Sequence, residues 1–464
     1  MRMTLSQVAA AVGARLPSGA LERLSVTGLC TNTRAVVQGD LFLALIGERY
    51  DGHDFVAEAL AKGAVAAVVC RQPSGVDPQV VLTVPDTLAA LGLIAREWRR
   101  RFAVPVVAVT GSVGKTSTKD MLACALSTLG PVDRTDRNEN NEIGLPKTLL
   151  RLTSEHRAVV VEMGMRGAGQ IRGLAEIAEP TIGIITLIGE SHIELLGSRA
   201  AIAAAKCELF EQVAKSGGTA IYNAGDDFAQ MLGDSAGEQT ITFVDADRHP
   251  NLGADFRLLA PRRDGSGWAA EAIGPGGAGF ALSIASPARH DLVNALGAVA
   301  AAHAAGISPK DAARQLRHYR PGAMRMEIVE TPSGARVLSD CYNAAPTSMR
   351  AALETLASTD ATGRRIAFLG DMKELGPHAA NMHEAVARRA RELGLTEIYV
   401  VGEDFGRSAE HARQRFASAR DAARFARDEL GVAEGDLILV KGSRSMMMEA
   451  VVEALTAAEA PHSP

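Results

Sequence analysis

The chain has 464 residues, of which 47% are hydrophobic and 22% charged, and its formal net charge is −5. This composition is typical of a globular protein, and the negative balance offers no electrostatic attraction to nucleic acid or to an anionic membrane. The length is too great for one ordinary core and predicts about three domains.

Five cysteines are scattered along the chain and none forms a C-x-x-C pair. This usage argues against a disulfide framework or a zinc site and is typical of a reducing compartment. The N-terminal segment "MRMTLSQVAAAVGARL" lacks the long apolar core of a signal peptide. No apolar run approaches the roughly 18 residues of a membrane-spanning helix. We therefore expect a cytoplasmic monomer with no membrane insertion and no nucleic-acid partner.

Residues 1–100 are predicted to form a small α/β domain. The segments "DLFLAL" and "AVAAVVC" are typical of strands. The segment "HDFVAEALAKG" is typical of a helix, and "DTLAALGLIAREWRRRF" predicts a helix that leads into the next domain.

Residues 101–318 are predicted to form a central domain built on a parallel, doubly wound sheet. Four short apolar runs, "VPVVAVTG", "RAVVVEMG", "TIGIITLIG" and "GTAIYN", alternate with helical or glycine-rich stretches. The alternating, Gly/Pro-rich region 251–287 predicts antiparallel hairpins added to this domain.

Residues 319–464 are predicted to form a third domain, because the same alternation restarts there. The strands are expected in "ARVLSDCYN", "RRIAFLGD", "EIYVVGED" and "DLILVKGS", with helices between them. The last residues, "AEAPHSP", are expected to fray.

The segment "VTGSVGKTST", residues 109–118, follows a predicted strand and opens a predicted helix. It departs from the G-x-x-x-x-G-K-[ST] template, because Val109 occupies the first glycine position and Gly111 follows two residues later. Backbone N–H groups at such a junction bind phosphates, Lys115 adds a positive charge, and the Thr116 hydroxyl can hold Mg²⁺. The alternative is a plain glycine turn before a helix.

Polar side chains stand where predicted parallel strands end, the edge at which such sheets bind ligands. Glu162 and His192 follow two strands of the central domain, and Asp340 and Asp371 follow two strands of the third. A carboxylate at a strand end can equally be a helix cap, and a lone histidine a hydrogen-bonded loop residue. Glu162 and His192 beside a phosphate loop favour a metal site, since Mg²⁺ prefers oxygen ligands near phosphates.

Lys206 is unusual because of its place on the predicted helix "SRAAIAAAKCELFEQV". At 100° per residue it falls within the arc of Ile202, Leu209 and Phe210, while Glu208 is expected on the opposite, polar face. A lysine on the apolar face must reach solvent, find a partner or change its chemistry.

Three loops are rich in amide and hydroxyl groups: "DRNENNEIGLP" (136–146), "DCYNAAP" (340–346) and "VKGSRSM" (440–446). Each can be ordinary turn chemistry or a hydrogen-bonding surface for a peptide-like substrate.

The ordered set of motifs resembles the Mur ligase family over nearly the whole chain. The segments that carry the resemblance are "TNTRAVVQGDLFLALIGERYDGHDF", "TGSVGKTST", "NENNEIGLPKTLL", "VVVEMGMRGAGQI", "GESHIELLGSRAAIAAAKCELFE", "DLVNALGAVAAA", "DCYNAAPTSM", "FLGDMKELG" and "LVKGSRSM". The resemblance implies a UDP-substrate-binding first domain, a central ATP-binding domain and a Rossmann-like third domain that closes over both.

The resemblance also implies roles for individual residues. A catalytic set would comprise Lys115, Glu162, His192 and Lys206. ATP would contact Thr110, Gly111, Ser112, Val113, Gly114, Lys115, Thr116, Ser117, Asn294, Arg325 and Asp340. Substrate would contact Thr33, Arg34, Asn138, Asn140, Asn141, Glu142, Asn343, Lys441, Ser443 and Arg444. Two Mg²⁺ sites would use Thr116, Glu162, His192 and Lys206, the last as a carbamylated lysine.

Four positions depart from the family pattern. Asn32 stands for an aspartate in T-D-[ST]-R, and Ala345 stands for the second asparagine of Y-N-A-N-P. Met324 and Cys207 stand where glycine is common. These departures put individual contacts in doubt without touching the catalytic set.

The activity implied is ATP-dependent ligation, through an acyl phosphate, of D-alanyl-D-alanine to the carboxylate of UDP-N-acetylmuramoyl-tripeptide, a step of peptidoglycan synthesis. A sister ligase that adds another amino acid to a muramoyl peptide or to folate is the nearest alternative, although no D-N-P-R motif is present. A regulatory P-loop GTPase is disfavoured because no N-K-x-D motif occurs. An inactive scaffold is disfavoured by the intact catalytic set.

Overall fold

The computed structural model describes residues 1–16 and 21–457. The segment "AEAPHSP", expected to fray, lies outside this range. Three successive α/β units carry a four-stranded, a nine-stranded and a six-stranded sheet, and the first unit also contains a two-stranded sheet.

The N-terminal unit runs from the first strand to the long helix that leads into the next sheet. Its elements are β1 (Met3–Thr4), α1 (Leu5–Val12), β2 (Ser25–Val26), β3 (Gly28–Cys30), β4 (Asp40–Leu43), α2 (Val56–Ala61), β5 (Ala66–Val69), β6 (Val81–Thr83) and α3 (Thr87–Arg99). Strands β3 to β6 are parallel neighbours in chain order, and β1 pairs with β2 antiparallel.

The central unit contains nine strands and eight helices within the described residues. Its elements are β7 (Val106–Thr110), α4 (Lys115–Leu126), β8 (Val132–Arg134), α5 (Gly144–Leu150), β9 (Ala158–Glu162), α6 (Gln170–Ala178), β10 (Ile182–Ile185), α7 (Ile193–Leu196), α8 (Arg199–Lys215), β11 (Thr219–Asn223), α9 (Ala229–Ser235), β12 (Thr240–Asp245), β13 (Phe256–Asp264), β14 (Gly267–Ile273), β15 (Gly279–Ile284), α10 (His290–Ala304) and α11 (Pro309–Leu316).

The C-terminal unit repeats the alternation on a smaller sheet. Its elements are β16 (Glu327–Glu330), β17 (Arg336–Asp340), α12 (Pro346–Ser358), β18 (Arg365–Gly370), α13 (Ala379–Glu392), β19 (Glu397–Val401), α14 (Glu403–Ser408), β20 (Gln414–Phe416), α15 (Ala419–Asp428), β21 (Leu437–Lys441) and α16 (Glu449–Thr456). The strand order is β16-β17-β21-β18-β19-β20, parallel except for the β16–β17 pair.

The nine-stranded sheet has the order β15-β14-β13-β12-β11-β10-β7-β9-β8. It is parallel from β8 to β13, and β13 to β15 form an antiparallel meander. The antiparallel addition predicted for 251–287 is therefore confirmed. Strand β7 is buried on both faces, because Val106 and Ala108 pack into one hydrophobic cluster while Val107 and Val109 pack into another. A near-continuous apolar run is typical of such a strand.

Every strand predicted from an apolar run is present, but eight others were not predicted: the short strands β1, β2, β3 and β6 of the N-terminal unit, and β8, β12, β16 and β20 of the other two. Strands β8, β16 and β20 lie at sheet edges, where the sequences "VDR", "EIVE" and "QRF" are short and polar. Strand β12, "TITFVD", lies inside the sheet with its first half only partly buried. Edge strands need not be hydrophobic on both faces, so their sequence signal is weak.

The carboxyl ends of β7, β9 and β10 meet the carboxyl ends of β17 and β21 across the boundary between the central and C-terminal units. The loops that follow these five strands supply walls of one cavity. Within residues 1–16 and 21–457, no helix is both long and apolar enough to cross a membrane.

Candidate active site

A cavity of about 600 Å³ lies between the central and C-terminal units. Its walls include these residues of the sequence-predicted site: Ser112, Val113, Gly114, Lys115, Thr116, Ser117, Asn138, Asn140, Asn141, Glu142, Glu162, His192, Asn294, Arg325, Asp340, Asn343 and Lys441. Chemistry-bearing side chains separated by more than 300 residues in the chain are thus brought to one place.

The phosphate-binding loop between β7 and α4 has a fixed shape. Gly111 and Gly114 adopt φ angles of 150° and 84°. A Cβ atom at Gly111 would lie 1.9 Å from Oγ1 of Thr186, and one at Gly114 would lie 2.9 Å from Oδ1 of Asn294. The Ser112 N–H donates to the carbonyl of Leu187 at 2.7 Å. Glycine is therefore needed at both places, and the shortened motif forms an ordered turn ahead of a helix N-terminus.

Lys115, the first residue of α4, folds back over this loop. Its Nζ donates to the carbonyl of Gly111 at 2.9 Å. Burial lowers the pKa of Lys115 from its ordinary value, as does the positive charge of Arg325, and the carboxylate of Glu162 only partly offsets this. The ammonium group is held by backbone carbonyls on the cavity wall, where an anionic ligand would be a stronger partner.

Glu162, at the end of β9, is buried and faces the loop. Its Oε2 accepts a hydrogen bond from Oγ1 of Thr116 at 2.8 Å, and its Oε1 accepts one from Nδ2 of Asn140 at 2.8 Å. The predicted metal-binding hydroxyl and one predicted substrate-loop amide are therefore both bonded to the predicted metal-binding carboxylate.

Asn294 lies on α10 beside the phosphate-binding loop. Its Nδ2 donates to Oδ1 of Asp291 at 3.1 Å, and Asp291 accepts a second bond from the Ser286 hydroxyl at 2.6 Å. The buried Asp291 therefore fixes the orientation of the Asn294 amide at the cavity wall.

Arg325 enters the cavity from the segment that connects the two units. Its guanidinium carbon lies 4.0 Å from the ring centroid of Tyr342, a cation–π contact that orients the side chain. Met324, which stands where the family commonly has glycine, has a φ of 58°. This left-handed conformation explains in physical terms why glycine suits the position.

Asp340 and Lys441 form a pair at the ends of β17 and β21. The Lys441 Nζ lies 2.6 Å from Oδ2 of Asp340 and donates to the carbonyl of Asn343 at 2.8 Å. Lys441 is therefore a buried lysine whose charge the protein itself satisfies.

His192 precedes α7 and contacts the C-terminal unit. Its Nδ1 lies 2.5 Å from Oε2 of Glu374, although the N–H is not aligned for a hydrogen bond. Burial lowers the pKa of His192, and the positive charges of Lys115 and Lys206 act in the same direction, against the raising effect of Glu374. Neutral imidazole is the form that can bind a metal ion.

Lys206 lies on α8 and is only 2% exposed, as helical geometry predicts. Burial lowers its pKa well below the ordinary value, and the positive charge of Lys115 adds to this. Over residues 1–16 and 21–457, no carboxylate forms an ion pair with it. This environment favours an uncharged amine.

Glu208 corrects one expectation for the same helix. It was expected on the polar face, yet it is buried and accepts hydrogen bonds from the backbone N–H groups of Gly169 and Arg172 at 2.6 and 3.0 Å. A carboxylate at the N-terminus of α6 is favourable, and a hydrophobic-arc argument cannot foresee such a tertiary cap.

Several wall residues were not identified from the sequence. They are Gly164, Met165, Arg166, Gln170, Ser191, His290, Asp291, Met326, Tyr342, Ala345 and Ser348. Tyr342 and Ala345 fall within the singled-out loop "DCYNAAP", and Ser191 adjoins His192, so proximity in sequence was the available signal. The segments that carried the family resemblance also contain Gly164, Met165, Arg166, Gln170, Asp291 and Ser348, although no role was assigned to them. His290 and Met326 lie outside those segments.

Other predicted site residues lie away from the cavity wall. Thr110 ends β7 and Gly111 begins the phosphate-binding loop, and both are buried, as is Lys206 on α8. Ser443 is also buried, and its hydroxyl accepts from the N–H of Lys373. Arg444 pairs with Glu449 at 2.6 Å. Thr33 and Arg34 follow β3, and among the described residues the N-terminal unit supplies none of the cavity wall.

Asp371, Asp404 and His383 form a separate cluster in the C-terminal unit. Both ring nitrogens of His383 are engaged, since Nε2 accepts from the N–H of Met372 and Nδ1 lies 2.7 Å from the carbonyl of Ala379. Asp371 accepts from Phe405 N–H and pairs with Lys373. Internal bonds therefore satisfy this cluster without an ion.

The donor set of the cavity suits Mg²⁺ beside phosphates. Thr116 and the buried Glu162 provide oxygen atoms next to the glycine turn, and His192 lies on the same wall. Hard oxygen ligands completed by phosphate are the usual environment of this ion. The unmodified side chain of the buried Lys206 has a nitrogen donor and no oxygen donor.

A parallel sheet with a glycine turn and lysine at the end of a central strand defines a P-loop nucleotide-binding protein. Three family models match consecutive stretches: "Mur ligase family, catalytic domain" at 25–99, "Mur ligase middle domain" at 109–302 and "Mur ligase, glutamate ligase domain" at 324–444.

The chain belongs to the Mur ligase family. It is 37% identical to the UDP-N-acetylmuramoyl-tripeptide–D-alanyl-D-alanine ligase of Synechocystis sp. over 94% of this chain and 93% of that protein. A crystal structure of MurF from Acinetobacter baumannii is similar, with a TM-score of 0.89, 30% identity and coverage of 98% and 99%. A MurF ligase from Thermotoga maritima, in complex with ADP, matches with a TM-score of 0.83, 27% identity and coverage of 92% and 96%.

Proposed function

We propose that this protein joins D-alanyl-D-alanine to the terminal carboxylate of UDP-N-acetylmuramoyl-tripeptide with ATP, releasing ADP and phosphate. The observation that carries the proposal is the convergence of Lys115, Thr116, Glu162 and His192 on one cavity, in a chain whose full-length relatives carry that name. The alternative of a regulatory P-loop NTPase is excluded by membership of the family. A sister ligase is disfavoured, because the relatives at 30% identity or more named above add the dipeptide.

A carboxylate is a poor electrophile, because its leaving group would be oxide. Transfer of the γ-phosphoryl group of ATP to the tripeptide carboxylate creates an acyl phosphate. The amine of the dipeptide then attacks the carbonyl carbon, the C–N bond forms, and phosphate leaves with the former carboxylate oxygen. Such transfer depends mainly on positioning and charge neutralisation.

The chain's own residues would supply both requirements. The backbone N–H groups of the glycine turn and the N-terminus of α4 face the phosphates, and Lys115 would exchange its carbonyl partners for them. Arg325, oriented by Tyr342, adds a second cation. Asn294 and Asp340 would hold adenine and ribose.

Thr116, Glu162 and His192 would hold Mg²⁺, which neutralises charge on the phosphates when bound. We propose two such sites, the second completed by Lys206 as a carbamate. The depressed pKa of Lys206 supports this, because only a neutral amine reacts with CO₂. A carbamate would turn the buried nitrogen into an oxygen donor.

We further propose that residues 1–100, 101–318 and 319–464 are the UDP-substrate, ATP-binding and ligase domains. The residues that would contact the peptide from the cavity wall are Asn138, Asn140, Asn141, Glu142, Asn343 and Lys441. Ser443 and Arg444 are proposed substrate contacts on the family resemblance alone. Thr33 and Arg34 would contact the nucleotide from the N-terminal unit. We propose a cytoplasmic monomer, where ATP is available and the five free thiols stay reduced.

The test is release of ADP from ATP with each substrate alone and with both. Sustained turnover should require the UDP-linked tripeptide and D-alanyl-D-alanine together, and a dipeptide with a blocked amine should not support it. Vigorous ATP hydrolysis with neither substrate would overturn the ligase assignment. Preference for a single amino acid over the dipeptide would instead identify a sister ligase.

A further inference from the structure

Glu190 connects the two units that form the cavity. It lies in the loop between β10 and α7 of the central unit, and it is only 8% exposed. Its Oε2 accepts from the backbone N–H of Thr347 at 3.2 Å and from the Thr347 hydroxyl at 2.5 Å. Its Oε1 accepts from the guanidinium of Arg350 at 3.0 Å. Both partners belong to α12 of the C-terminal unit.

The start of α12 has no side chain of its own that accepts from the Thr347 N–H, although the Ser348 hydroxyl accepts from the N–H of Ala345 at 3.0 Å. The N-cap residue is Ala345, which has no side-chain acceptor, and Pro346 at the first helical position has no N–H. Thr347 therefore carries the first backbone donor that needs a partner, and Glu190 provides it. By contrast, α8, α11 and α15 are capped locally by serines, namely Ser198, Ser308 and Ser418.

Ala345 is also the position at which the family pattern has asparagine, one of the best N-cap residues. A carboxylate near a helix N-terminus is favourable both as an acceptor and through the helix dipole. Arg350, on the same helix, forms an ion pair with this carboxylate at 3.0 Å. The side chain is therefore a charged acceptor at this helix end.

The Glu190 loop also touches the phosphate-binding loop. The Ser112 hydroxyl donates to the carbonyl of Gly189 at 3.3 Å, and the Ser191 hydroxyl donates to the carbonyl of Ser112 at 3.1 Å. A Cβ atom at Gly189 would lie 3.1 Å from Oγ1 of Thr347. The start of α12, the Glu190 loop and the phosphate-binding loop are thus in direct contact.

We infer that Glu190 is a positioning residue, a helix cap supplied to α12 across the unit boundary in place of the missing side chain at Ala345. The cap holds the C-terminal wall of the cavity against the phosphate-binding loop. Its effect on ligation rests on the proposed function, whereas the capping itself does not.

The test is hydrogen–deuterium exchange of segment 345–350 in the free, full-length protein, with ADP release measured in parallel. Four proteins are compared: wild type, Glu190→Ala, Ala345→Asn and the double variant. Loss of a cap costs about 1 kcal/mol, so Glu190→Ala should speed exchange of this segment about five-fold. Glu190→Gln keeps an acceptor oxygen, so the exchange rate of this segment should rise less than in Glu190→Ala.

Ala345→Asn should restore slow exchange in the Glu190→Ala background yet change the wild type little, because only one cap can bind the Thr347 amide. kcat/KM should fall in Glu190→Ala and recover in the double variant. Glu354→Ala is the matched control, since Glu354 lies on α12 and pairs with Arg248 of the central unit without touching the helix start.

Unchanged exchange in Glu190→Ala, an equal effect of Ala345→Asn in both backgrounds, or the same effect from Glu354→Ala would each overturn the inference. The exchange measurement needs no substrate. If the protein fails to ligate the proposed substrates but shows the non-additive exchange pattern, the proposed function is refuted and the assignment of Glu190 as the cap of α12 still stands.

Discussion

Buried charged groups have different hydrogen-bond partners in the cavity and at the opposite edge of the C-terminal sheet, where its parallel strands begin. At that edge Asp436 precedes β21 and accepts from the backbone N–H and the guanidinium of Arg364, each at 2.7 Å, and from the N–H of Ala433. On the cavity wall, Lys115 has only carbonyl partners among the described residues; Lys206, buried on α8 and not part of that wall, has no described carboxylate partner. Charges that the protein satisfies itself stabilise the fold, whereas incompletely satisfied charges await a ligand.

Lys115→Ala should give the largest loss of activity of the substitutions that distinguish incompletely satisfied charges from charges that the protein satisfies itself. Ligation should fall by at least about 10²-fold, because a preorganised positive group next to the transferred phosphoryl would be lost. The unfolding midpoint should change little, since the partners of Lys115 are loop carbonyls and not core groups. ADP release and chemical denaturation measure the two effects. Near-normal turnover would mean that the glycine turn is only structural.

Lys206→Ala should lower activity roughly 10- to 100-fold if the residue acts at the metal site. Thorough removal of CO₂ should slow the wild type, and bicarbonate should restore it. A small carboxylate should partly rescue Lys206→Ala but not Lys115→Ala, which serves as the control. Full activity of Lys206→Met would show that the buried amine has no part in the reaction.

Asp436→Asn should leave activity largely unchanged but destabilise the C-terminal unit by about 2 kcal/mol at neutral pH. Burial alone would raise the pKa of Asp436, but the bonds from Arg364 outweigh it and hold the pKa below its ordinary value. The folded pKa lies below the unfolded value of about 3.9, so this stabilisation is complete above that pH and is lost as pH falls through the folded pKa.

Urea unfolding of the wild type and Asp436→Asn at pH 7 and near pH 3 measures this change. The difference in stability should shrink at the lower pH. Asp428→Asn, which removes an exposed carboxylate paired with Arg427, is the control and should show little effect at either pH. A difference that is independent of pH would mean that charge is not the cause.

The strands around the cavity could be predicted because each is an apolar run that ends in a chemistry-bearing residue, as in "RAVVVE" ending at Glu162. The burial of Lys206 could be predicted because helical spacing places it on the apolar face of α8. The edge strands β8 and β20 could not be predicted, since edge positions need no continuous apolar pattern.

The tertiary hydrogen-bond and ion-pair partners of charged residues could not be predicted from the sequence either. The cap that Glu208 provides to α6 and the contact between Glu374 and His192 join residues that are distant in the chain and carry no shared motif. The spacing of apolar residues indicates which side of a helix or strand is buried. It does not indicate which distant group will donate a hydrogen bond to a buried carboxylate.

Ion pairs that join the central and C-terminal units include Arg166 with Glu374, Arg248 with Glu354 and Arg350 with Glu190. Buried apolar side chains hold the interior of each unit, and one buried apolar cluster includes side chains of both units, such as Ile193 and Leu375. Dissolved ions screen exposed pairs over about 8 Å at physiological ionic strength and leave apolar burial almost unaffected. Salt should therefore weaken the exposed pairs of Arg166 and Arg248 more than the buried Glu190–Arg350 pair or the apolar contacts between the two walls of the cavity.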